Sequence, residues 1–291
     1  MKLIFFLLLA SVTAATCRKG SNQPAPGPTP TPIPTPTVQG VKLVADGPGN
    51  TYELINSVFG GSAVEDPDCA HAAFGRHVAE VFDNELNKNV FAFYIHVTPD
   101  NDRCNGSTDR QRNEIKTYGP SPDNLKGQLG DTVTYRWKFR IDAGLQPSSS
   151  FTHIHQIKAG DGNDDAPTIT ITPRAGNPQK LEIIHTGNSS ATTLGKVKIV
   201  DLQPFKGVWV EVIEKLVYRT NGNYEISIKK VSDGAELLSY SHNNIDLWRD
   251  GTTFCRPKWG IYRSLNNMAA LRDEEVRFAD FCIAEGKALC Q

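Results

Sequence analysis

The sequence predicts an all-β protein, two antiparallel sheets packed as a sandwich or jelly roll, on three observations. From Val90 onward, short runs rich in β-branched and aromatic residues alternate with Gly, Pro, Asn and Asp turns. Tyr135-Arg136-Trp137-Lys138-Phe139-Arg140-Ile141 alternates apolar and basic side chains with period two, as a strand with one buried and one wet face requires. Long helical periodicity is nearly absent, with Cys69 to Asn84 the best candidate for a helix.

Taken in chain order, Lys2, the apolar run Leu3 to Ala10 and the small residues through Ala15 have the layout of a signal peptide over residues 1–16. An exported protein is expected, free or held by a lipid on Cys17 if the host is bacterial. No transmembrane span is expected, because no later stretch reaches the ~18 apolar residues that a spanning helix needs. Residues 17–39 contain GSNQPAPGPTPTPIPTPTVQ, whose fixed proline φ angles and missing amides favour an extended spacer. Residues 40–291 have the length of one large β domain. Its strands are expected at Val90–Val97, Arg112–Tyr118, Thr132–Ile141, Phe151–Lys158, Thr168–Thr172, Lys180–Thr186, Lys196–Leu202, Val208–Tyr218, Tyr224–Val231, Trp259–Ser264 and Val276–Ala284.

The net charge of −1 gives no basic excess of the kind that nucleic-acid binding needs, so affinity for a polyanion must come from a local cluster. Six cysteines in an exported chain suggest disulfides, and none has the close pairing of a zinc site. If Cys17 is removed or acylated, five remain, and Cys69 with Cys104 and Cys282 with Cys290 is the expected pairing, leaving Cys255 free; sequence does not fix connectivity.

Three segments carry candidate chemistry. Arg112-Asn113-Glu114-Ile115-Lys116 puts Arg112, Glu114 and Lys116 on one face of a strand, and Arg110 extends the row if the strand starts earlier. Such a row could bind successive carboxylates, with arginine able to do so in bidentate fashion, and a solvated face with internal salt bridges is the plainer alternative. Phe151-Thr152-His153-Ile154-His155-Gln156-Ile157-Lys158 places His153 and His155 on one face in a regular strand, where they could carry protons or hold a metal. For zinc a third ligand is needed; His185 and Asp161 are conceivable, but no spacing supports them, and a pair hydrogen-bonded within the sheet is the plainer alternative. Arg256-Pro257-Lys258-Trp259-Gly260-Ile261-Tyr262-Arg263 puts Lys258, Gly260 and Tyr262 on one face, with a glycine that would let a bulky ligand approach the backbone.

In this order, the three motifs resemble those of the jelly-roll polysaccharide lyases related to alginate lyases and heparin lyase I, with a concanavalin A-like sandwich. Arg112 to Lys116 is similar to the Arg-x-Glu-x-Arg strand of alginate lyases, His153-Ile154-His155 to their Gln-x-His strand, and Lys258 to Tyr262 to the Lys-x-Gly-x-Tyr strand that heparin lyase I also shows. The resemblance implies β-elimination on a uronate-containing polysaccharide. Arg112, with the amide of Gln156 or the imidazole of His153, would neutralise the sugar carboxylate. His155 would serve as base and Tyr262 as acid, or Tyr262 as both. Lys258, Arg256, Arg263, Lys116 and Glu114 would line the substrate site. Lys116 stands where the family has a second arginine and His153 where it has a glutamine; Gln156 and His155 cannot both line the groove of a regular strand.

No cofactor is required by this chemistry; Asp161-Gly162-Asn163-Asp164-Asp165 offers oxygens for a structural calcium ion but lacks the distal glutamate of an EF-hand, and a plain acidic turn is the simpler reading. The expected partner is the acidic polysaccharide, met by a monomer. Hydrolysis is disfavoured, because Glu114 is the one carboxylate in the groove motifs and a hydrolase needs two. A lectin-like jelly roll that binds without reacting is the rival from another class.

Overall fold

In the computed structural model, residues 38–291 are described, and they lie within one compact unit, Thr37–Gln291. The signal peptide expected over 1–16, the acylated Cys17 and almost all of the spacer over 17–39 fall outside the described residues.

The strands run β1 (Val41–Leu43), β2 (Val64–Glu65), β3 (Val78–Asp83), β4 (Lys88–Ile95), β5 (Arg110–Lys116), β6 (Thr132–Ile141), β7 (Thr152–Ala159), β8 (Ile169–Arg174), β9 (Lys180–His185), β10 (Gly195–Asp201), β11 (Val210–Val217), β12 (Gly222–Lys230), β13 (Glu236–Ile245), β14 (Cys255–Ser264) and β15 (Glu274–Glu285). One sheet has the order β13-β12-β11-β6-β15-β4-β3, with β1 against β15; the other runs β10-β9-β8-β7-β14-β5-β2. Every pairing between named strands is antiparallel. This is the expected two-sheet jelly roll. Among the described residues no helix is long and apolar enough to cross a membrane.

β6 alternates as its sequence requires: Tyr135, Trp137, Phe139 and Ile141 are buried, while Arg136, Lys138 and Arg140 are turned outward. Trp137 meets Trp259 of the facing sheet with ring centroids 6.4 Å apart, and Phe278 and Phe281 close the same core. The disulfides Cys69–Cys104 and Cys282–Cys290 are both formed, and Cys255 is free and buried.

The helix expected over Cys69–Asn84 is not there. Pro67 to Phe74 runs through turns, Gly75 has φ +88°, and the remainder is β3, whose Val78 and Val81 pair with β4. The disulfide at Cys69 and the bonds that Asp68 makes to the His77 backbone and ring hold this stretch in a non-helical path. The α-helix is instead α1 (Thr51–Phe59), which buries Thr51, Ile55 and Phe59 at a spacing of four residues against the core. The edge strand β13 also escaped the sequence reading: Glu236 to Ile245 is mostly polar and alternates weakly, because a sheet edge needs little burial.

Candidate active site

The three motif strands lie side by side, β7-β14-β5. Tyr262 is opposite Arg112 on one side and His153 on the other, and Lys258 is opposite Lys116 and Gln156. Between these pairs the β14–β7 register shifts, so that Gly260 and Ile261 of β14 stand against Ile154 alone. The shift breaks the alternation of β7. Ile154, His155 and Ile157 all turn to the core, while His153 and Gln156 turn to the outer face.

This corrects the placement of His155. It is wholly buried between the sheets, packed on Trp137 and Trp259, with Nε2 2.8 Å from Oε2 of Glu214 on the opposite sheet. A base there would meet no sugar. The predicted role of Gly260 changes too: with φ +145°, an added Cβ would lie 2.1 Å from the Asn113 carbonyl oxygen and 2.6 Å from Glu114 Cα. The glycine serves the close approach of β14 to β5 rather than of a ligand. Gly260→Ala is therefore expected to cost about 2–4 kcal/mol, read by urea denaturation; wild-type stability would contradict this.

The outer face has a charged floor. Arg112 Nη1 lies 2.7 Å from Glu114 Oε2 and its Nε 2.8 Å from Asp102 Oδ1. Lys258 sits between Glu65 and Glu114, the latter at 2.8 Å, and Lys116 reaches Glu65 at 2.6 Å. Gln156 donates its amide to Glu114. Burial by itself would raise the pKa of Glu65 and Glu114, but the charges of Lys258 and Arg112 outweigh it and hold both carboxyls below their ordinary range. Burial also lowers Lys258 to about 8, against the pull of the same two carboxylates. Arg256 is nearly buried beside them, and its Nη1 finds no partner among the described residues. Arg103, Arg112, Lys116, Arg256 and Lys258 outnumber Glu65, Asp102 and Glu114, so the floor keeps a positive excess for an anionic chain.

At the half-buried end of this floor stands Tyr262. Arg110, the first residue of β5, donates from Nη1 to its hydroxyl oxygen at 2.9 Å, and the Arg112 guanidinium lies 3.8 Å from its ring centroid. Since that oxygen accepts from Arg110, its own hydrogen is free for another acceptor. The His153 ring is 5.9 Å from the Tyr262 ring and stacks on Phe151. Thr172 donates to Thr170 at 2.9 Å, so its oxygen accepts from His153 Nδ1 at 2.7 Å. The ring is thereby fixed with its lone pair on Nε2. Burial pushes the His153 pKa down to about 4; Glu114 opposes this, and the charges of Arg174, Arg112 and Lys258 add to it. The imidazole is neutral at neutral pH and able to accept a proton.

Other predicted residues lie elsewhere. Arg263 is fully buried on the inner face, donating to Gln111 Oε1 at 3.0 Å and to the Arg272 carbonyl at 2.7 Å, because it alternates with Tyr262. His185 is engaged with the Asp246 carbonyl at 2.7 Å and the Leu194 amide. In the acidic turn, Asp161 holds Thr253 and Asp164 faces Lys158 at 3.5 Å. Glu65 and Asp102 were not foreseen: one lies on a two-residue strand and the other in the loop before β5, where no periodicity marks them.

A family model described as "Polysaccharide lyase" matches residues 77–280. Among solved structures, the marine PL-14 alginate lyase from Aplysia kurodai aligns with TM-score 0.56 and 11% identity over 87% of this chain and 100% of its own. Alginate lyase A1-II', a member of polysaccharide lyase family 7, aligns with TM-score 0.52 and 16% identity over 78% of this chain and 94% of its own. The endo-β-1,4-glucuronan lyase from the fungus Trichoderma reesei aligns with TM-score 0.49 and 18% identity over 71% of this chain and 86% of its own. A search of curated proteins finds none that matches. At these identities the two alignments with TM-scores above 0.5 establish the fold alone.

Proposed function

The chain belongs to the polysaccharide lyase family, and we propose that it cleaves uronate-containing polysaccharide by β-elimination on the outer face of β7, β14 and β5, with His153 as base and Tyr262 as acid. The observation that carries this reading is the pairing of a neutral, oriented imidazole with a phenol whose oxygen already accepts from Arg110.

In such a reaction the C5–H and C4–O4 bonds break, a C4–C5 double bond forms, and the departing O4 takes up a proton. The C5 proton becomes removable only when the neighbouring carboxylate is neutralised. Arg110 and Arg112 flank Tyr262, and the unpartnered Nη1 of Arg256 extends the cationic row along the floor. His153 Nε2 takes the proton, and the Tyr262 hydroxyl supplies one to O4. The two guanidiniums stand where negative charge would develop on the phenol oxygen. Lys258 and Glu114 are nearly sealed and act beneath the sugar, holding Arg112 and Gln156 in place. The two disulfides support export from a reducing cytosol.

The test is incubation with alginate, glucuronan and heparin-like chains. Ultraviolet absorbance from unsaturated ends is expected to rise; new reducing ends without it would indicate a hydrolase, and binding with neither a lectin. The pH profile checks the base. Protonation of His153 removes its lone pair, so kcat/KM should hold down to about pH 4 and fall below it. An acid limb centred near the ordinary histidine value of about 6.5 would assign proton abstraction to another group.

A further inference from the structure

Three histidines outside the chemistry above, His71, His77 and His96, converge on the carboxylate of Asp100. His71 Nδ1 lies 3.1 Å and His77 Nε2 3.2 Å from Asp100 Oδ1, and His96 Nδ1 lies 3.1 Å from Oδ2. One donor atom from each residue falls within 4.8 Å of all the others. We infer that this cluster is a binding site for a divalent transition-metal ion of the zinc class.

Tetrahedral zinc with bonds of about 2.0–2.2 Å sets its donors roughly 3.4 Å apart, so the nitrogen-to-carboxylate spacings here are close to those of coordination. Three imidazoles and one carboxylate suit zinc and its neighbours in the first transition row; calcium prefers six to eight oxygens. The surroundings supply what a metal-bound histidine needs. His77 is wholly buried, and its Nδ1 lies 2.7 Å from Asp68 Oδ1, which directs Nε2 toward the cluster. Asp68 is in turn held by the Tyr52 hydroxyl at 3.0 Å and by the His77 amide at 3.0 Å.

The cage is tied from two directions. The Cys69–Cys104 disulfide links the segment bearing Asp68 and His71 to the one bearing Asp100. From the inner face of β5, the Gln111 amide nitrogen lies within 3.0 Å of the carbonyls of His96, Val97 and Asp100, and the Asn113 amide donates to the His77 carbonyl. The site therefore lies behind the strand whose outer face bears Arg110 and Arg112, apart from Tyr262 and His153. It is open enough for an ion to enter, since the His71 and His96 side chains are 23% and 17% exposed.

The experiment uses the full chain stripped with a chelator. Added Zn²⁺ at about a hundredfold excess over its dissociation constant should raise Tm by roughly 5–10 °C, with one equivalent retained after gel filtration, and Ca²⁺ should not. Co²⁺ in its place should give the visible bands of a tetrahedral nitrogen–oxygen site. His71→Ala and His96→Ala, at partly exposed positions, should each weaken Zn²⁺ binding at least tenfold. A featureless Co²⁺ spectrum with no Tm shift would overturn the inference and leave imidazoles that share a carboxylate through protons. Unchanged affinity in both variants would overturn it as well, and if either variant fails to fold, the wild-type Co²⁺ spectrum decides alone.

Discussion

Tyr262→Phe is expected to lower kcat by about 10²–10⁴-fold on whichever uronate polymer the protein cuts, with substrate binding almost unchanged. The substitution removes one oxygen and keeps the ring on which the Arg112 guanidinium rests at 3.8 Å. Arg110 loses an acceptor but keeps Asp109, which it already contacts at 2.7 Å, so no buried charge is stranded. What disappears is the proton donor to the leaving oxygen. Steady-state ultraviolet assays beside equilibrium binding to the polymer separate the two effects. Activity within a few-fold of wild type would move the acid role to another group, and a parallel loss of binding would point to damaged structure.

Lys258→Met should act on stability instead, at about 3–5 kcal/mol, or roughly 10 °C in Tm for a chain of this size. The ammonium is almost completely buried between Glu65 and Glu114, and the apolar replacement leaves the sealed Glu114 with Arg112 as its one remaining cation among the described residues, while Glu65 keeps Lys116 and Arg103. The deficit should shrink on acidification, because the stranded carboxylate can then take up a proton. Thermal melts of the variant and of Glu65→Gln/Lys258→Met at pH 7 and pH 5 check this, the double variant being expected to recover part of the loss. A stability cost below about 1 kcal/mol would mean that the lysine is not the keystone of the cluster.

The β architecture was legible in the sequence because sandwich strands announce themselves by alternation and turns, as β6 does through Tyr135 to Ile141. The two disulfides join the expected cysteines, although sequence does not fix connectivity. Other features were not legible. Cys69 to Asn84 mimics helical spacing, but a disulfide and the bonds of Asp68 override it. The histidine pair of β7 was read with regular alternation, which assigned His155 to the sugar and set Gln156, the alternative carboxylate partner, on the opposite face; the register shift against β14 reverses that assignment, and such a shift depends on the neighbouring strand. Arg263 illustrates the opposite case: strict alternation after Tyr262 already sends it inward. Glu65 and Asp102 come from short or irregular segments, so only the folded chain brings them beneath Arg112.

The irregular step at Ile154 and His155 has a consequence for how the protein tolerates change. Two adjacent residues of β7 share the interior, so the spacing that marks the sugar face is a histidine and a glutamine three places apart. A regular strand of the same length would instead put His153 and Gln156 on opposite faces and His155 on the same face as His153. The phase of this strand therefore constrains its chemistry more tightly than its composition does.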